Sequence, residues 1–184
     1  DRTALSGDFD LAGANIDARG RGAIVVGGAA SAGRDARFQT VGEGAVSLAG
    51  VTAGGDVLAD AREVRATGQL SAGRDVAVRS RGGAVDLASV TAGDDIAIRA
   101  SGAVRSSGAL AAGAAADAQG AADRLVAPGE GGMILRLVDP LAATASIQGF
   151  ALGGGDVDIR SGGDISLAAD VGATNIRLQA AAKI

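Results

Sequence analysis

The stretch SAGRDVAVRSRGGAVDLASVTAGDDIAIRASG, residues 71–102, states one phrase twice. Ala72-Gly73-Arg74-Asp75 leads into Val-Ala-Val-Arg-Ser, and Ala92-Gly93-Asp94-Asp95 leads into Ile-Ala-Ile-Arg-Ala twenty residues later. Taking the Asp or Asn before each alternating run as an anchor gives Asn15, Asp35, Asp56, Asp75 and Asp95, spaced 20, 21, 19 and 20 residues. The series resumes at Asp156 and Asn175, 19 apart. The first and third residues after the anchors are apolar, as in Val57 and Ala59, Val76 and Val78, Ile96 and Ile98, Val157 and Ile159, or Ile176 and Leu178. A period of two makes each run a strand with one buried face.

A second alternating run follows about ten residues after the anchor, with Val46 and Leu48, Val85 and Leu87, and Ile165 and Leu167 at its inward positions. A third piece, such as SVTAG or ALAAG, leads back to the next anchor. Corners of two or three residues hold no crossover helix, so each coil must stack its strands in parallel on those of the coil before. The expected fold is all-β: a parallel β-helix, or β-solenoid, of about 20 residues and three short strands per coil. About nine coils at roughly 4.8 Å each predict a rod on the order of 40 Å long. The anchors Asn15, Asp35, Asp56, Asp75, Asp95, Asp156 and Asn175 are expected to bond local backbone amides and to line up as a corner ladder, each worth roughly 1 kcal/mol. Small Gly and Ala suit the corners, where Gly can supply positive φ.

Composition agrees. Gly fills 31 of 184 positions, Phe occurs three times, and Cys, His, Trp and Tyr are absent. The core must come from stacked small and β-branched side chains rather than large aromatics. Without Cys there is neither a disulfide framework nor a zinc–thiolate site. A net charge of −4 argues against a general nucleic-acid binder. No apolar run reaches the roughly 20 residues that span a bilayer, so no transmembrane segment is expected. The opening DRTALSG has neither an initiating Met nor a signal-like segment and reads as the interior of a longer chain.

All of residues 1–184 read as one β-helical segment, with residues 113–152 as irregular coils. Ala115 stands there in the anchor's place, and its 41-residue distance to Asp156 is close to two coils. The helix is expected to continue underneath, with a loop around Ala127 to Gly132 protruding and MILRLV, from Met133 to Val138, rejoining the core.

Function on such a rod belongs to outward positions, where side chains form ladders. The fourth residue after the anchor reads Arg19, Gln39, Asp60, Arg79, Arg99, Arg160 and Gln179. Arg79 and Arg99 fall on consecutive coils, Arg65 and Arg105 lie outward on the second strand, and Arg62, Arg74 and Arg81 sit at corners. Arg65, Arg79, Arg81, Arg99 and Arg105 are therefore the candidates for binding an anionic glycan, since guanidinium forks pair with sulfate and carboxylate. Against this, the seven Arg between Asp56 and Leu110 are matched by seven acidic residues, as on a mixed solvated surface. No catalytic residue is expected: nucleophile systems built on His or Cys are impossible, and Asp94 is the one carboxylate of the Gly93-Asp94-Asp95 turn not serving as an anchor. GGGDVDI, residues 153–159, has no tandem continuation of the kind calcium-binding nonapeptides need, so no metal or other cofactor is expected.

The AGRDV and AGDDI phrases, set in a Cys-free, Ala- and Gly-rich chain of twenty-residue coils, resemble the filamentous haemagglutinin family over Asn15 to Ser107 and again over Asp156 to Gln179. The resemblance implies a right-handed β-helical shaft of a secreted or cell-surface exoprotein, exported with an outer-membrane secretion partner and used for attachment to host cells. Its partner would be a host cell-surface glycan or glycosaminoglycan. The Asn-Pro-Asn motif of that family's secretion domain is missing, as is Arg-Gly-Asp, so integrin binding does not carry over. Two readings stand: an adhesive shaft, or a passive stalk of such an exoprotein or of a contact-dependent toxin-delivery relative. An outward Arg stripe unbroken by acids favours the first, and even mixing the second.

Overall fold

The computed structural model describes residues 5–7, 11–113, 156–173, 175–181 and 184. Among them there is no helix, and none long and apolar enough to cross a membrane. The chain is a parallel β-solenoid of two sheets. Sheet B stacks one five- or six-residue strand from each coil: β3 (Ile16–Gly20), β5 (Ala36–Thr40), β7 (Val57–Ala61), β9 (Val76–Ser80), β11 (Ile96–Ala100), β14 (Asp156–Ser161) and β17 (Asn175–Ala180). Sheet A contains β1 (Leu5–Gly7) and β2 (Leu11–Gly13), then β4 (Ile24–Ala32), β6 (Val46–Ala53), β8 (Val64–Ala72) and β10 (Val85–Ala92). It ends with β12 (Val104–Ser106), β13 (Leu110–Ala112), β15 (Ile165–Leu167) and β16 (Val171–Gly172).

The three segments per coil are thus present, but in β4, β6, β8 and β10 the second and third are one strand bent in the middle. The register shifts at the bend, between Leu48 and Val51 against β8 and between Leu87 and Ser89 against β8. The register elsewhere follows the repeat: Val57 pairs Val76, Val76 pairs Ile96, and Ile96 pairs Val157. Each inward position becomes a column running through the core, such as Ile24, Val46, Val64, Val85, Val104 and Ile165. Volumes alternate where one residue is large. The buried Phe38 ring stacks between Ala18 and Ala59, which give it room. At the end of the sheet B strands, inward hydroxyls tie down corner carbonyls: Thr40 Oγ1 donates to Gly44 O at 2.9 Å and Ser80 Oγ to Gly83 O at 2.7 Å. These two inward hydroxyls are satisfied in this way.

The corner glycines are needed for a different reason from the one expected. Gly54, Gly73 and Gly93 do not occupy left-handed φ. They stack over one another, and a Cβ on Gly73 would lie 2.2 Å from Gly54 O, while one on Gly93 would lie 2.1 Å from Gly73 O. Close approach of successive coils, rather than backbone conformation, excludes a side chain there.

The count of coils also differs. The two coils, the loop and the strand expected between Ala115 and Asp156 lie outside the described residues. The coils on either side meet directly: Ile96 pairs Val157, Val104 pairs Ile165 and Leu110 pairs Val171. Among the described residues the ladder is continuous from β11 to β14. Among the described residues sheet B has seven strands, so its six steps of about 4.8 Å give roughly 29 Å, against the 40 Å expected of the whole chain.

Candidate binding surface

From Asn15 to Asp75, each anchor amide or carboxylate accepts the backbone N–H of the next anchor along the axis. Asp35 N donates to Asn15 Oδ1 at 3.3 Å, Asp56 N to Asp35 Oδ1 at 2.9 Å, Asp75 N to Asp56 Oδ1 at 3.3 Å, and Asp95 N to Asp75 Oδ1 at 3.1 Å. The bonds run between coils, where local bonds within one corner were expected. Asp156 and Asn175 occupy paired positions in the last two coils.

Asp35, Asp56, Asp75 and Asp95 are buried, so the ladder brings like charges into a file. The residue before each anchor decides how that charge is met. It reads Arg34, Gly55, Arg74 and Asp94. Gly55 leaves a notch, since a Cβ there would lie 2.2 Å from Asp35 Oδ1. Arg74, one coil on, reaches back into it, with Nη2 3.1 Å from Asp56 Oδ2 and 3.4 Å from Asp35 Oδ1. One guanidinium thus serves two buried carboxylates and lines, with Arg34, a cavity of about 230 Å³. In the next coil Asp94 stands in the place of Arg74. The carboxylates of Asp75, Asp94 and Asp95 come within 4.8 Å of one another, all buried and all bonded within the protein. Oxygen ligands so grouped would suit a hard cation.

The five candidate arginines do not share a surface. Arg79 and Arg99 do point outward from sheet B, in register on consecutive strands. They are nevertheless only 4% and 2% exposed, and Leu58 and Ala97 on the same face are fully buried, so the side chains are enclosed. Arg79 holds Asp60 bidentately, Nε to Oδ1 at 3.1 Å and Nη2 to Oδ2 at 3.3 Å. Asp60 also accepts from Gln39 Nε2 at 2.9 Å and has Arg81 Nε 3.1 Å away. Arg81, part-exposed, donates to the Thr40 carbonyl. Arg99 donates to Asp158 Oδ2 at 2.6 Å and to the Asp158 carbonyl at 3.0 Å, with Arg160 Nη2 3.4 Å from the same Oδ2. The expected solvent-facing ladder of Arg79 and Arg99 is therefore corrected to a buried network in which carboxylates one coil away already fill the guanidinium forks. Arg37 belongs to the same face; burial, then the charge of Arg19, pushes its pKa below the ordinary guanidinium value, with Asp17 and Asp60 opposing.

Arg65 and Arg105 lie on the other sheet. Both are exposed, and both are in register with Asp86 between them. Arg105 Nη1 is 3.2 Å from Asp86 Oδ1, whereas Arg65 has no ion pair among the described residues. With Thr67 and Ser107 they line a shallow cavity of about 390 Å³ at the bend of sheet A.

Sequence reading placed Arg160 outward and Arg74 at a corner, but missed Asp158 and the notch that Arg74 fills. The signal was present in part: Asp60 and Arg79 carry opposite charges at the same coil position, and the residue before the anchor alternates Arg, Gly, Arg and Asp. No family model, no curated protein and no solved structure matches the chain.

Proposed function

We propose that this chain is a shaft segment of a filamentous exoprotein, one whose work is to hold other parts at a distance rather than to bind a receptor along its own length. The carrying observation is that four of the five arginines that would form an adhesive stripe are met by carboxylates. Arg79 and Arg81 meet Asp60, Arg99 meets Asp158, and Arg105 meets Asp86. Arg79 and Arg99, engaged and enclosed, offer nothing to a sulfate, and charges mixed at strand spacing build no long-range field. What remains is a stiff stack that extends by one strand spacing per coil. The resemblance to the filamentous haemagglutinin family supports the same reading, with secretion to the cell surface.

An adhesive reading keeps one specific foothold, the exposed Arg65 and Arg105 at the sheet A cavity. Retention on immobilised heparin over a salt series separates the two. The spacer reading expects no retention at physiological salt, for the wild type and for Arg79→Ser, Arg99→Ser alike. Salt-sensitive retention that vanishes in Arg65→Ser, Arg105→Ser overturns it in favour of a glycan-binding shaft.

A further inference from the structure

The outer face of sheet B is closed and that of sheet A is open. Two files of side chains point outward from sheet B: Arg37, Leu58, Ala77, Ala97 and Asp158 in one, Gln39, Asp60, Arg79, Arg99 and Arg160 in the other. Gln39 is half-buried and every other member is buried. The outward file Ser31, Thr52, Ser71 and Thr91 of sheet A is exposed at three positions and half-buried at Ser71. The residue types divide the same way. Hydroxyls occupy the open face, while Leu and Ala stand between the paired ions of the closed one.

On a bare sheet an outward arginine keeps its guanidinium in water. Burial of Arg79, Arg99 and Arg160 therefore requires a cover, and the cover has limits. It is complete over β7, β9 and β11, where all five residues of each strand are buried. Asp17 and Arg19 on β3 and Gln179 on β17 are exposed again. Every described strand belongs to sheet A or sheet B, so no described strand supplies it. The burial arises within one chain, so the chain itself does.

The sequence holds one stretch of suitable length, and its limits can be read to the residue. Asp95 and Asp156 are 61 residues apart, although their strands are neighbours in the ladder. Leaving out residues 114–154, 41 in all, brings the interval to 20 and joins Ala112-Gly113 to Gly155-Asp156. That junction repeats the corner phrase Ala53-Gly54-Gly55-Asp56. The stretch is thus an insert at the corner that opens β14, beside the closed face. Met133, Ile134, Leu135, Leu137 and Val138 give it the apolar chemistry that Leu58, Ala77 and Ala97 call for. The other stretches outside the described residues run to four residues at most.

From these observations we propose that the outer face of sheet B is an internal docking face and that its occupant is the insert 114–154. The rod thereby carries a segment of its own chain on one side and leaves the sheet A side open. This is independent of the spacer reading, which concerns what the arginines can bind.

Because the chain has no Cys, single cysteines report on each face. Ala77→Cys and Ala97→Cys probe the closed face and Thr91→Cys the open one, each by its rate of labelling with a thiol reagent under native conditions. In the full chain Thr91→Cys should label about a hundredfold faster than the other two. Excising 114–154, so that Gly113 joins Gly155, should bring Ala77→Cys and Ala97→Cys up to the rate of Thr91→Cys and leave Thr91→Cys unchanged. A photoreactive diazirine side chain in place of Leu58, in the full chain, carries the test if circular dichroism shows that the excised chain does not fold. Its adducts should include residues of the insert. Equal labelling of both faces in the full chain overturns the proposal. So does protection that persists in a folded excised chain, or adducts confined to the strands of sheet B.

Discussion

Replacing Asp60 by Ala removes the carboxylate that three neighbours hold. Arg79 meets it at 3.1 and 3.3 Å, Arg81 at 3.1 Å and Gln39 at 2.9 Å, and both Asp60 and Arg79 are almost wholly buried. Breaking a buried pair from one side leaves the guanidinium desolvated and without its main counter-charge, which costs about 3–5 kcal/mol. With a urea slope of about 2 kcal/mol/M, that loss moves the unfolding midpoint down by roughly 1.5–2.5 M. Replacing both partners, Asp60→Leu with Arg79→Leu, should stay within about 2 kcal/mol of wild type, because the two buried ions leave together, part-exposed Arg81 keeps the Thr40 carbonyl and solvent, and Leu58 shows the face accepts an apolar side chain. Urea titration of the wild type, Asp60→Leu, Arg79→Leu and the double variant completes a cycle. A loss below about 1 kcal/mol for Asp60→Ala would refute the reasoning. It would mean that water reaches Arg79, and the guanidinium would then return as a candidate for anion binding.

Gly73→Ala drives a methyl to 2.2 Å from Gly54 O and should lower the melting temperature by several degrees, whereas Gly172→Ala, with nothing within 4 Å, should leave it unchanged. In the anchor ladder, Asp35→Ala loses the acceptor of the Asp56 amide and one oxygen near Arg74, a loss of about 1–3 kcal/mol by urea titration. Asp35→Asn keeps the amide acceptor, as Asn15 does one coil earlier, and should lose less than half as much.

The interval between anchors and the period of two within Val76 to Val78 or Ile96 to Ile98 were enough to fix coil, register and core columns, because a parallel stack repeats one coil's solution. What covers the outside of a coil has no periodic signature. Arg79 and Arg99 are outward by pattern and buried in fact, and alternation speaks only of which side of a strand a residue takes. Opposite charges at equal coil positions, Asp60 with Arg79 or Asp86 with Arg105, were legible as pairs once the coils were aligned. Asp158 with Arg99 was not, since sequence spacing hides that β14 stacks directly on β11. The bend merging the second and third segments was equally hidden, because alternation does not tell a bend within one strand from a corner between two.

That direct stacking makes the molecule a ruler graduated in coils rather than in residues. Ordinary corners take up two to five residues, as at Arg62–Glu63 or from Val41 to Ala45, yet Ala112 and Asp156 are joined through 43 residues with the ladder unbroken across them. Lengthening a connection from about three residues to about 43 is roughly four doublings, about 2.4 kcal/mol of closure entropy. A coil's worth of parallel pairing and column packing outweighs that. The corner after β13 is thus a site where chain of almost any length can be added or exchanged while the reach of the rod stays the same.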